Sequence, residues 1–266
     1  MNSDDDDTDE ETKRFPSPGA TLDHGRIVVG RRLRGGLWIG RAGNHPVLIG
    51  HNRLPYSQHK DAIDGLYRFD VPGLASLEFL GFPDDGGREV AIVEALPKGS
   101  PLAELQSLTL AEVVQCGIGL CDTVLAWGAR RHSLTEGLRP ETVYMANGAY
   151  TGATLRMALI AGEPYDGTFS NERYKAPSDG APLELTIDDA GFIVAQVLWF
   201  ALLREHPYKV PGALDETQNI WTDTRRPFTG PPELGRILEA VLVADPSRRL
   251  GVQGFRDQLA ALANAG

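Results

Sequence analysis

The stretch Thr135-Glu136-Gly137-Leu138-Arg139-Pro140-Glu141-Thr142-Val143 decides how this chain is read. Before it, Leu110–Trp127 has helical periodicity, with Val113, Val114, Ile118, Cys121 and Leu125 on one face. After it comes a short apolar strand, Val143-Tyr144-Met145, and a second is expected around Leu155-Arg156-Met157. Two positions in the loop are chemically bare. Gly137 has no side chain, and Thr142 offers only a neutral hydroxyl.

Toward the C-terminus the chain reads as helical. Asp188–Leu203 is the most apolar helix, and Pro231–Val243 and Phe255–Ala263 are amphipathic. Toward the N-terminus it reads as strands. Ile27-Val28-Val29-Gly30, Leu37-Trp38-Ile39 and Pro46-Val47-Leu48-Ile49 form a trio joined by turns at Gly35-Gly36 and Gly43-Asn44. Ser57–Phe69 places Ala62, Ile63, Leu66 and Tyr67 at helical spacing. Leu77–Phe82 and Val90–Val93 flank Pro83-Asp84-Asp85-Gly86-Gly87, a strong hairpin turn. The expected architecture is α+β in two lobes. Residues 23–96 form a five-stranded antiparallel sheet with one helix, and residues 97–266 form a mainly helical lobe.

Residues 1–22 are polar and are expected to be a disordered tail, because they hold too little apolar surface to offset ordering. Residues 3–12 carry seven acids and no base, a large part of the net charge of −10. That balance argues against nucleic acid as a partner. The acidic N-terminus is not a signal peptide, and the longest apolar run, Phe192–Leu203, is too short to span a bilayer. No membrane partner and a cytoplasmic location are expected. Cys116 and Cys121 match neither a zinc pair nor a redox motif and read as reduced core thiols.

The loop resembles the catalytic loop of protein kinases, His-Arg-Asp-Leu-Lys-Pro-Glu-Asn. Other signals follow in the family's order. Leu77 to Leu102 resembles the fourth and fifth strands, hinge and following helix. The resemblance makes Val93 the gatekeeper, and Glu94, Ala95 and Leu96 the hinge that hydrogen-bonds adenine. Tyr174-Lys175-Ala176-Pro177-Ser178 resembles Tyr-x-Ala-Pro-Glu. The run from Asp188 or Asp189 to His206-Pro207-Tyr208 resembles the central helix and its Gly-x-x-Pro-Phe end, and Asp245-Pro246-Ser247-Arg248-Arg249 resembles Asp-Pro-x-x-Arg.

The departures fall where phosphate and metal would sit. Gly137 replaces the catalytic Asp, and Thr142 replaces the metal-binding Asn. Leu33-Arg34-Gly35-Gly36-Leu37-Trp38-Ile39 is short and bulky for a phosphate loop, so Gly35-Gly36 reads as a hairpin turn. Gly50, followed by His51, stands where the strand lysine belongs, and Asp61 and Asp64 are only approximate counterparts of its helix carboxylate. Leu159-Ile160-Ala161 replaces the magnesium-binding Asp-Phe-Gly. Phosphoryl transfer rests on positioning and charge stabilisation by these groups. Loss of a general base alone costs roughly 100- to 10,000-fold.

Displaced acids are weighed against this. Glu136 and Glu163 are candidates for a shifted base or metal ligand, though solvated carboxylates are the plainer reading. His51 and His132 read as structural or surface histidines. The family partner of Arg249 is replaced by Asp179 or Glu184, or the pair is gone. Trp38 and Trp221 are candidate exposed contact residues, with core roles the alternative. Thr8 is a candidate phosphosite in the acidic tail.

The resemblance therefore implies a catalytically inactive kinase-like domain, a pseudokinase without metal or cofactor. Its vestigial cleft comprises Gly35, Gly36, Val93, Glu94, Ala95 and Leu96, and its degenerate positions are Gly50, Gly137, Thr142 and Leu159. The expected role is a protein-binding scaffold or allosteric regulator in signalling. The implied partner is an active kinase, a phosphatase or a phosphothreonine-recognition domain. The alternative is an atypical nucleotide-binding sensor or a weakly active kinase using displaced acids.

Overall fold

The computed structural model describes residues 17–32, 38–52, 70–85, 90–128, 138–154, 187–208, 225–243 and 245–265, and of His51 and Asn52 the backbone. The chain divides into two compact units. One holds the described residues through Asp70 together with Ala75–Leu96. The other holds Val71–Leu74 and the described residues from Pro97 onward.

The first unit is a six-stranded antiparallel sheet, made of β1 (Thr21–Leu22), β2 (Ile27–Arg32), β3 (Trp38–Ala42), β4 (His45–Asn52), β5 (Leu77–Gly81) and β6 (Val90–Ala95). The order across it is β1-β2-β3-β4-β6-β5. The expected strand trio is β2-β3-β4, and the expected hairpin is β5-β6, joined to the trio through β4. Gly43 makes the β3–β4 turn at φ 57°. The expected helix over Ser57–Phe69 and the turn at Gly35-Gly36 lie outside the described residues.

The sixth strand corrects the five-strand expectation and shortens the tail. Ser17–Leu22 belong to the fold. The amide of Gly19 donates to Val29 O at 2.7 Å, and Val29 N–H donates to Ala20 O at 2.9 Å. Leu22 is fully buried. A two-residue strand carrying one apolar side chain leaves no period in the sequence to detect.

That strand closes the sheet. Leu22 bridges to Pro83 just beyond β5, so the two edges meet. The contact is reciprocal. The amides of His24 and Gly25 donate to the Asp84 carboxylate at 2.9 Å each. Arg26 donates to Glu78 O at 2.7 Å, and also pairs with Asp23. Asp23, His24 and Gly25 all have positive φ, and the Asp84 carboxylate holds this turn in place. Inside the closed sheet Leu22, Ile27, Trp38, Ile49 and Val93 form one buried cluster. Trp38 is only 6% exposed, which removes it as a surface contact residue. Arg32 lies over its ring at 5.8 Å.

The second unit is mainly helical: α1 (Leu110–Gly128), α2 (Ile187–Leu203), α3 (Pro232–Val241), a 3-10 turn (Pro246–Arg248) and α4 (Val252–Ala265). A small sheet, β7 (Ser100–Pro101), β8 (Val143–Ala146) and β9 (Ala149–Ala153), accompanies them. β9 is a strand that was not among those expected, and the one expected around Leu155–Met157 lies outside the described residues. Asn147 and Gly148, at φ 51° and 76°, form the two-residue turn that pairs β9 with β8. No helix follows the hinge stretch, because residues 102–109 make a turn and irregular chain before α1.

A reciprocal cap starts α1. Thr109 N–H and Oγ1 donate to Glu112 at 2.8 Å, and Glu112 N–H donates to Thr109 Oγ1 at 3.3 Å. Among the described helices α1 alone is long and apolar enough to cross a bilayer by length and composition. Its apolar stripe is buried nonetheless, with Val113, Leu120, Val124 and Trp127 at 2% exposure or less. Gly117 lets it approach Leu198 of α2 and Leu259 of α4. The half-buried Ile118 and Leu125 lie at the margin of that stripe. Cys116 and Cys121 are buried free thiols.

Candidate functional site

The Thr135–Val143 loop is described from Leu138 onward, and its shape there has local causes. Leu138 is fully buried. The Thr142 hydroxyl donates to Arg139 O at 3.0 Å and accepts from Arg139 N–H at 3.2 Å. Thr142 N–H also donates to Arg139 O at 3.0 Å. The side chain is 6% exposed and closes its own turn. An oxygen engaged in this way is poorly placed to ligate a metal. The loop is then pinned from outside, by Ala103 N–H on Pro140 O at 3.0 Å and Leu102 N–H on Val143 O at 2.8 Å.

In the sheet unit, residue 50 sits on β4 opposite Ile92, and Ile49 sits opposite Val93. Directly opposed residues of an antiparallel pair share a face, and neighbours along a strand do not. Gly50 and Val93 therefore lie on opposite faces of the sheet. Register position 51, not 50, is in phase with Val93. Two positions that the resemblance assigns to one site are thus out of phase.

Val93 is fully buried in the closed-sheet cluster, together with Trp38 and Leu22. Glu94 is also fully buried, opposite Leu48. The two amides that follow are used within the same unit. Ala95 N–H donates to Ser76 O at 2.9 Å, and Leu96 N–H donates to Pro46 O at 3.2 Å. The Val93 side chain and the Ala95 and Leu96 amides, which the resemblance assigns to a gatekeeper and hinge, are engaged within the sheet unit.

Arg249 has a buried carboxylate partner that the sequence did not single out. Its Nη1 donates to Asp189 Oδ1 at 2.6 Å. Asp189 stands in the first turn of α2, sixty residues away in sequence. Proximity to the central helix was the available signal, but nothing local marked it as the partner.

Gly35, Gly36, Gly137, Leu159 and Thr8 lie outside the described residues. So do Glu136, Glu163, His132, Asp61, Asp64, Asp179, Glu184, Trp221 and the Tyr174–Ser178 stretch. Among the described residues no three His, Cys, Asp or Glu side chains gather as a metal site. No protein-family model matches the chain, and no curated protein matches it in sequence.

Proposed function

We propose that this chain is a degenerate, two-lobed protein-kinase-like fold that no longer transfers phosphate and acts by binding another protein. The observation that carries the proposal is the buried cluster uniting Val93, Trp38 and Leu22 inside the closed sheet. A gatekeeper position packed into a hydrophobic core has no face left for a nucleotide. Two further features support it. The Leu96 amide is bonded to Pro46, and the Thr142 hydroxyl is folded into its own turn.

The ordered series of kinase-like motifs supports the family reading, and the losses at those motifs support the loss of chemistry. The order and pairing of the strands fit the expected trio and hairpin. The partner class consistent with signalling is an active kinase, a phosphatase or, if Thr8 is phosphorylated, a phosphothreonine-recognition domain.

Radiolabelled phosphate transfer to generic acidic and basic peptide substrates tests the loss of chemistry. The expected result is no transfer above a blank, with magnesium or manganese. Transfer that disappears on Glu136→Gln or Glu163→Gln would instead establish an enzyme with displaced acids.

A further inference from the structure

Arg204 ends α2 in the left-handed region, at φ 56°. That conformation suits glycine, and a long side chain rarely adopts it. In the motif order Arg204 stands where the sequence resemblance has its Gly-x-x-Pro glycine. An unfavourable residue held at such a place needs something to hold it.

The guanidinium supplies the reason. Nη1 donates to Leu102 O and Nη2 to Ala103 O, each at 2.7 Å. Its carbon lies 4.3 Å from the centre of the Phe200 ring, which fixes the fork from behind. The Leu102 carbonyl and the Ala103 N–H belong to one peptide group. While Arg204 bonds its oxygen, its N–H donates to Pro140 O at 3.0 Å. One peptide thus joins the guanidinium to the Arg139–Val143 turn, and each bond polarises the next. Leu102 N–H on Val143 O makes a second link at 2.8 Å, and Leu108 N–H on Ala201 O at 3.1 Å ties the segment back to α2.

We propose that Arg204 is a positioning residue, a clasp that sets the place of the Arg139–Val143 turn through the Leu102–Ala103 peptide. The clasp belongs to the helical unit alone and stands whether or not the chain is a kinase relative. It holds an irregular segment whose own internal bonds are two turn contacts, Glu104 N–H on Pro101 O and Leu105 N–H on Leu102 O. Its backbone strain is the counterpart of the two carbonyl bonds.

Amide hydrogen exchange on the full chain tests it, with Arg204→Gly and Arg204→Lys. Glycine is at home at this φ, so Arg204→Gly removes the clasp while relieving the backbone. Lysine keeps the charge but lacks the planar fork that reaches two carbonyls. The expected result is exchange at least tenfold faster at Ala103 and Thr142 in Arg204→Gly, and a smaller increase in Arg204→Lys. Val124, in the middle of α1, stays at its wild-type rate in both. Unchanged exchange at Ala103, or a common acceleration that includes Val124, would overturn the proposal. If Arg204→Gly does not fold, the lysine variant decides by the same comparison.

Discussion

The Arg249 guanidinium donates to the Asp189 carboxylate across 2.6 Å inside the helical unit. The side chains are 1% and 11% exposed. Arg249 Nε also donates to Val243 O at 2.7 Å, and its guanidinium carbon lies 4.9 Å from the centre of the Phe192 ring. Phe192 in turn stacks on Tyr208. The neighbouring Asp188 accepts from Val252 N–H at 3.2 Å, so the first turn of α2 fastens both the chain before α4 and its first residue.

Removing one charge of that pair strands the other. Asp189→Ala is expected to cost about 3–5 kcal/mol. A double change to Asp189→Leu and Arg249→Met is expected to cost less than the single one, because no buried charge remains. Urea unfolding of the three proteins measures the difference. Equal losses in single and double variants would mean that packing, not the pair, holds this corner.

A second prediction concerns Gln196, in the middle of α2 and fully buried. Its Oε1 and Nε2 have no hydrogen-bond partner among the described residues, nor does Trp199 Nε1 one turn on. A buried amide left unbonded costs about 1–3 kcal/mol. Gln196→Leu is therefore expected to raise stability by an amount of that order in urea unfolding. A destabilised variant would show that the amide has a partner, such as an internal water.

The thiols carry a pH signature. Burial pushes the Cys116 thiol up to about 12. Burial raises Cys121 as well, with the Asp122 charge adding to it. Both thiols should resist a thiol–disulfide reagent at pH 8 in the folded protein and react on unfolding. The sign follows from proton binding. The folded state keeps the proton longer, so this stability is complete below the unfolded value of about 9 and is lost as pH rises toward 12. The Tyr150 phenol, raised by burial, acts in the same direction. On the acid side, Asp84 is held low by the His24 amide and Glu112 by the Thr109 amide. Their contribution is present above the usual carboxylate range and is lost as pH falls through the lowered values. Thiol titration and unfolding across pH check both limbs. A thiol that reacts at once in the native state would contradict the burial assigned here.

Much of the α+β layout was legible because its signals are local. The apolar run ending at Leu203 gave α2 nearly to the residue, and Gly43-Asn44 gave the β3–β4 turn. Trp38 could have been placed from its own strand, where Trp38, Gly40 and Ala42 are the alternate buried positions. Asn147-Gly148 was a sufficient signal for the β8–β9 turn that the strand expectation passed over. What escaped was non-local. Leu22 reaches its partners only when β1 pairs with β2 and Pro83. Asp189 meets Arg249 across sixty residues. The phase between Gly50 and Val93 exists only once β4 and β6 are in register. For the candidate site, the inward turn of the Thr142 hydroxyl is a three-residue contact, within reach of sequence reasoning. The engagement of the Leu96 amide with Pro46 is not.

Thermal unfolding with millimolar ATP, with and without magnesium, tests most directly the proposed loss of nucleotide binding. A ligand at one hundred times its Kd adds about 2.7 kcal/mol of stability. The account predicts no change in the unfolding midpoint under either condition. A saturable rise with ATP would contradict it, and a rise that requires magnesium would contradict it most sharply.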